Sequence, residues 1–190
     1  DHLIETGTDL YKLPLQEKKD ILCSCIYGID IDIHAVEVAK FSLLIKLIED
    51  ETAPSVSEVV PILPDLGDNI QFGNSLVSQT ELNGISGANR QMMEIAPFDW
   101  STINNGCGFD VIIGNPPYVN TEGMHALLPS AEVEVYKKKY KTSHKQFDKY
   151  FIFIEQAINK INENGLVCYI VPNKFFKIGA GEKLRNLIAK

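Results

Sequence analysis

DVIIGNPPYVN, residues 110–120, is an apolar stretch that stops at Asn115 and turns at once into two prolines and an aromatic ring. Val111, Ile112 and Ile113 are continuously rather than alternately apolar, the pattern of a strand covered on both faces. Asn115 precedes a proline, which pushes it out of the α region, and the rings of Pro116 and Pro117 fix φ at two successive positions. Such a strand exit is stiff. It can hold the Asn115 side-chain oxygen and the Pro116 carbonyl toward one spot, where Pro117 has no N–H to compete, with the face of Tyr118 alongside. Two convergent acceptors beside a flat ring suit an amine attached to a heterocycle. That nitrogen is a weak nucleophile because its lone pair is delocalised. Accepting both of its N–H bonds favours the pyramidal form, whose lone pair points at an electrophile. The competing reading is a rigid turn with a surface tyrosine.

Working outward, residues 14–25 read as a short helix and 26–32 as a short strand ending in two acids. Residues 34–51 carry Val36, Ala39, Phe41, Leu43, Leu44, Leu47 and Ile48 on a helical period, which predicts a long amphipathic helix. Pro54, Pro61, Pro64 and the Gly67-Asp68 turn make 52–68 a loop. NIQFGNSLV, 69–77, reads as a strand opening into a turn. Residues 78–108 are rich in Ser, Asn and Gly and read as a long loop or insertion with a helix near 88–96. Residues 119–146 read as a second one, wholly or partly mobile. A helix is expected over 145–165, closed by Gly165, then a strand over 166–173 and a further helix from 181. This alternation with continuous apolar strands predicts an α/β fold, a parallel sheet with helices on both faces.

In open parallel sheets, ligands sit beyond the carboxyl ends of the strands. Those ends carry Asp30 and Asp32, Asn74 and Ser75, the Asn115–Tyr118 exit, and Pro172-Asn173. Asp32 fits an N-cap of the helix that follows it. Asp30 fits an acceptor for ribose hydroxyls. Asn74 is either a turn residue or a group that reads an adenine edge.

The composition narrows the classes. With 190 residues and 45% hydrophobic content, the chain can build one sizeable core, and no apolar run is long enough to span a membrane. A net charge of −7 argues against a free-standing nucleic-acid binder, because phosphate contacts need cations. Yet Lys137, Lys138, Lys139, Lys141, Lys145 and Lys149 cluster within 136–149, with Tyr136 and Tyr140 between them. That run is either a solvated face or a phosphate-contacting patch. No glycine-rich dinucleotide fingerprint and no P-loop occurs, so hydride transfer and P-loop phosphoryl transfer are unsupported. Cys25 and Cys168 lie in apolar runs, and the four scattered cysteines read as buried reduced thiols rather than zinc ligands or disulfides. The absence of an initiator Met suggests a fragment or a processed product.

NPPY after FDVIIG resembles motif IV of the amino-group DNA methyltransferases that act on adenine N6 with S-adenosylmethionine. IYGIDIDIHAVEVAKFSLLIKL is similar to their motif II and its helix, NIQFGNSL to motif III, and FDKYFIFIEQAINKINENGLVCYIVPNKFF to the block after motif IV. The likeness covers about residues 15–190 and is nearest to the large type IIG restriction–modification or phage-defence polypeptides. NPPY also occurs in protein-glutamine N5 and RNA guanine-N2 methyltransferases, and a non-catalytic DNA-binding module is a third reading. The resemblance implies a Rossmann-like class I methyltransferase core in a cytoplasmic prokaryotic enzyme. It implies Asn115, Pro116, Pro117 and Tyr118 as catalytic residues on an adenine flipped out of double-stranded DNA. Asp30, Ile31, Asn74, Ser75 and Phe153 would contact S-adenosylmethionine, and Lys137, Lys138, Lys139, Lys141 and Lys145 would touch DNA. No metal is implied. The acidic, glycine-rich motif I and the target-recognition region are not found. The chain is therefore expected to be a partial catalytic domain over 1–190, with 1–20 the end of an upstream insertion. Without motif I, it is expected to bind the cofactor weakly and to be inactive alone.

Overall fold

Among the described residues, one pair of strands runs parallel in each of two units: Asp1–Gly73 with Ser101–Asn105, and Asn74–Trp100 with Gly106–Lys190. The computed structural model describes residues 3–7, 10–57 and 59–189. No helix among the described residues is long and apolar enough to cross a membrane.

In the first unit, strands β1 (Ile4–Gly7) and β2 (Leu10–Lys12) form an antiparallel pair, followed by helix α1 (Leu15–Cys25). Strand β3 (Gly28–Asp30) leads into helix α2 (Ile33–Ile48), then the short helix α3 (Ala53–Ser57) and strand β4 (Ile70–Phe72). β3 and β4 are parallel, with Gly28 opposite Ile70 and Asp30 opposite Phe72. Gly28 sits close to its partner strand; a Cβ there would lie 3.2 Å from Ile70 Cδ1. Asp32 accepts from the His34 backbone N–H at 2.9 Å and so caps α2, as its position predicts. Leu15, Leu22, Val36, Leu47, Leu66 and Ile70 form the core. Asn69 closes it, its amide donating to the carbonyls of Cys23 and Ile26 at 2.8 and 2.9 Å. The Glu51 side chain is 1% exposed and accepts from Lys18 Nζ at 2.6 Å, Ser55 Oγ at 2.8 Å and Lys12 Nζ at 3.1 Å. Chiefly through Lys18, these bonds hold its carboxyl at about 2, well below the usual range, against the opposing effect of burial.

The second unit holds helix α4 (Ala88–Ile95), strand β5 (Phe109–Gly114), helices α5 (Thr121–Leu127), α6 (Ser130–Lys139) and α7 (Lys149–Lys160), strand β6 (Ile161–Tyr169) and helix α8 (Glu182–Ile188). β5 and β6 are parallel, with Val111 opposite Leu166 and Gly114 opposite Tyr169. The core gathers Leu76, Ile95, Met124, Tyr136, Phe147, Tyr150, Phe151, Ile152 and Leu184, and α7 supplies its densest part.

Four expectations need correction. The segment 119–146 is largely helical rather than an open loop. It holds α5 and α6, buries Ala131, Val133, Val135 and Tyr136, and is closed by the Glu155 carboxylate, which accepts the backbone N–H groups of Lys141 and Thr142. The helix expected to run to 165 ends at Lys160. The NENG stretch then loops out of the β5 register between Ile161 and Leu166, with Asn164 at φ +69°. The sheet is not covered on both faces within this unit: Val111, Ile113, Leu166 and Ile170 are exposed, as expected of one side of a pleated pair with nothing packed on it. Cys25 and Cys168 are exposed rather than buried, and all four thiols are free. An apolar run reports that a strand can be covered, not that a neighbour lies on it.

Candidate active site

β5 ends at Gly114, and Asn115 is the first residue beyond it. A Cβ on Gly114 would lie 3.0 Å from the Tyr169 ring, so a small residue is needed where β6 comes closest. Ile170 N–H donates to the Gly114 carbonyl at 3.3 Å and carries the strand pairing to the tip. Pro116 is buried and anchors the turn, while Asn115, Pro117 and Tyr118 are exposed. Tyr118 Oη lies 2.9 Å from Asn115 Oδ1 and 2.8 Å from the Ile170 carbonyl oxygen. The Tyr118 ring meets the buried Tyr150 edge-on, at 6.1 Å and 88°. Tyr150 in turn donates to the Pro172 carbonyl at 3.2 Å. Burial, reinforced by the nearby Asp148 carboxylate, pushes the Tyr150 hydroxyl up to about 12. The tip thus carries an exposed amide bonded to Tyr118 and a half-exposed ring backed by a second ring.

Beyond the tip, the chain is pinned to the start of α7. Lys149 N–H donates to the Val119 carbonyl at 2.8 Å, and Thr121 Oγ1 donates to the Phe147 carbonyl at 2.8 Å. Here lies a polar cluster that sequence reading missed. Glu132 of α6, 1% exposed, accepts from Asn74 Nδ2 at 3.0 Å, from Lys149 Nζ at 3.5 Å and from the Tyr136 hydroxyl. Burial lowers the Lys149 ammonium, opposed by Glu132. Burial and the Glu132 charge raise the Tyr136 hydroxyl well above its ordinary range. Glu132 sits among Ala131, Val133 and Val135, all buried; an acid inside an apolar run was the signal available.

Against the expectation that it reads an adenine edge, Asn74 is 4% exposed, and its amide is bonded at both ends, Nδ2 to Glu132 and Oδ1 from the Leu76 N–H at 3.1 Å. In this arrangement its side chain faces the interior and holds the turn. The Ser75 carbonyl accepts from Trp100 Nε1 and Gln156 Nε2, both at 3.1 Å. Phe153 is partly buried against the core.

In the first unit, Asp30 is exposed at the carboxyl end of β3, one of its oxygens accepting the Asp32 N–H at 2.8 Å. Ile31 and Phe72, at the same ends of the strand pair, are also exposed. The lysine run divides. Lys139 is tied to the Leu76 carbonyl and to Glu81, both at 2.9 Å, and Lys149 is mostly buried. Lys138 pairs with Glu134 at 2.6 Å, Lys137 meets His125 Nε2 at 3.0 Å, and both are exposed, as are Lys141 and Lys145. Among the described residues, no group of three or more His, Cys, Asp or Glu side chains could hold a metal ion.

Residues 24–190 match the family described as Eco57I restriction-modification methylase. The chain is 46% identical over 180 residues to the type II restriction enzyme and methyltransferase RM.Eco57I of Escherichia coli, covering 95% of this chain and 17% of that protein. It is 33% identical over 82 residues to the type II methyltransferase M.PaeR7I of Pseudomonas aeruginosa, 43% of this chain and 14% of the relative. It is 35% identical over 80 residues to M.BstVI of Geobacillus stearothermophilus, again 14% of the relative. The chain therefore spans less than a fifth of each of these curated proteins.

Proposed function

Because the chain belongs to the Eco57I restriction-modification methylase family, we propose that it carries the amine-binding end of a DNA adenine-N6 methyltransferase serving a restriction–modification system. The exposed amide of Asn115, on a proline-stiffened tip beside a half-exposed tyrosine, carries this reading. Asn115 Oδ1 and the Pro116 carbonyl accept the two N–H groups of an adenine N6. The nitrogen pyramidalises, and its lone pair is released from the ring. Tyr118 stacks on the base. Flipping that base out of the duplex costs a few kcal/mol, which stacking and the two acceptors offset. S-adenosylmethionine, when bound, supplies a methyl group on a positively charged sulfur. Positioning and polarisation suffice for the transfer, with no covalent enzyme intermediate.

Asp30, exposed at the end of β3, is proposed to accept from the cofactor ribose, and Ile31 to pack on its adenine. Ser75 and Phe153 carry over from the resemblance as further cofactor contacts. Asn74 serves by holding the 74–77 turn rather than by reading a base. Lys137, Lys138, Lys141 and Lys145 are proposed phosphate contacts, whereas Lys139 is already engaged with Glu81. The two parallel pairs belong, in this reading, to a Rossmann-like class I methyltransferase fold.

Transfer of labelled methyl groups from S-adenosylmethionine to DNA by the full-length protein tests the proposal, with mass spectrometry of the product nucleosides. N6-methyladenine is expected, and Asn115→Ala should lower kcat by about 100-fold or more, the scale of losing one aimed polar group. Methylation of cytosine instead, or an Asn115→Ala protein as active as the parent, would refute it.

A further inference from the structure

Tyr118 has one hydroxyl proton and two acceptors within reach: Asn115 Oδ1 at 2.9 Å and the Ile170 carbonyl oxygen at 2.8 Å. It cannot donate fully to both. The Ile170 carbonyl belongs to the backbone at the end of β6 and can act only as an acceptor. Asn115 is different, because a half-turn of its amide exchanges oxygen for nitrogen in nearly the same volume. In the turned state, Asn115 Nδ2 donates to Tyr118 Oη, and Tyr118 donates to the Ile170 carbonyl. Every group in this chain is then satisfied with one partner each. The turn has a chemical consequence, since Oδ1 no longer faces the Tyr118 hydroxyl and is left free to accept from another donor. In the unturned state, the Tyr118 hydroxyl takes up one lone pair of the very oxygen that an incoming amine needs.

We propose that the Tyr118 hydroxyl, held by the Ile170 carbonyl, is the positioning group that turns the Asn115 amide oxygen toward the target amine. This rests on the reading of the tip as an amine-binding site and adds to it a task separate from stacking. The ring stacks through its face, whereas the hydroxyl acts at its edge. Tyr118 is 52% exposed, so a base can cover the face while the edge stays bonded. Tyr150 holds the same ring from the other side, at 6.1 Å and 88°, which limits how far the hydroxyl can drift from Ile170. Without the hydroxyl, the amide loses its preference between two orientations, and in one of them an N–H group faces the amine and repels it. A target already flipped and stacked would then wait on a misdirected amide.

Tyr118→Phe keeps the ring and removes the hydroxyl. In the full-length protein, kcat for DNA methylation should fall about five- to tenfold, the effect of losing one neutral hydrogen bond that biases an orientation. KM for DNA should stay within about twofold of the parent, as should the fluorescence rise of 2-aminopurine placed at the target position, because stacking is retained. Asn115→Asp supplies the second arm. A carboxylate offers an oxygen in both orientations, so adding Tyr118→Phe to Asn115→Asp should change kcat by less than about twofold. A Tyr118→Phe protein with parental kcat overturns the proposal. So does a loss accompanied by a vanished 2-aminopurine signal, or an equal loss when Asn115→Asp is already present. Should Asn115→Asp be too slow to measure, the kcat and fluorescence of the single variant decide the matter. No methyl transfer by the parent protein would instead refute the amine-binding reading, and this proposal would fall with it.

Discussion

Replacing Glu132 tests whether the buried cluster beside the strand tip holds the second unit together. Its carboxylate, 2% exposed, faces Lys149 Nζ at 3.5 Å, Asn74 Nδ2 at 3.0 Å and the Tyr136 hydroxyl. Glu132→Ala strands one buried cation and two neutral donors. Breaking a buried ion pair from one side costs about 3–5 kcal/mol, and each orphaned donor about 1–3 kcal/mol. These figures overlap, and Lys149 can shed its proton, an outcome that burial already favours. A loss of about 4 kcal/mol is therefore expected. Lys149→Met is milder, at about 1–2 kcal/mol, because Glu132 keeps two donors. Glu132→Gln combined with Lys149→Met removes both charges while an amide oxygen still accepts from Asn74 and Tyr136. The double variant should lie within about 1 kcal/mol of the parent, as neutral replacements of buried pairs do. Urea unfolding followed by Trp100, the chain's single tryptophan and a member of the same unit, gives the readout. If the double variant loses as much as Glu132→Gln and Lys149→Met measured singly and added together, the charges are not coupled and the reasoning fails.

Other expectations follow from local geometry. Glu51 has a depressed carboxyl, so its contribution to stability is complete above pH 4.5 and disappears as pH falls toward about 2. That contribution is about 3 kcal/mol as an upper figure, and Glu51→Gln should flatten the acid limb of a circular-dichroism urea series between about pH 5 and 3. Asp32→Ala removes the cap of α2 and should cost about 1 kcal/mol, seen as faster amide exchange over residues 33–36; unchanged exchange would contradict the capping role. At Gly181, an added Cβ would collide with the Phe175 carbonyl, and Arg185 Nη1 already grips that oxygen at 2.6 Å. Gly181→Ala should therefore lower the midpoint of thermal unfolding by several degrees, on the scale of about 1–3 kcal/mol for overpacking.

The strand exit at Asn115 was legible because proline and asparagine act within their own few residues: the end of β5, the stiff turn and the exposed amide all follow from that stretch. The cap at Asp32 was legible for the same reason. What escaped depends on contacts between distant segments. Glu132 reads as one more charge near a lysine run, and only the arrival of Asn74, 58 residues away, turns it into a buried acceptor. The same contact draws Asn74 inside. Helices α5 and α6 were missed because their turns are polar on the surface and their apolar residues, such as Met124 and Val135, are spaced among charges. The end of α7 was placed too late because NENG can continue a helix locally. A strand that pairs with β5 on either side of NENG wins there, and the Asn162 amide on the Asp110 carboxylate at 2.9 Å ties the bulged stretch down.

The bare side of the β5–β6 ribbon has a practical consequence for anyone handling this polypeptide. Val111, Ile113, Leu166 and Ile170 line up on a two-stranded surface, the kind of exposed apolar patch that favours self-association. This stripe should accordingly contribute to self-association. Light scattering should rise with protein concentration, and it should subside when Ile113 and Leu166 are exchanged for lysine, while the Asn115 tip on the same strand keeps its shape.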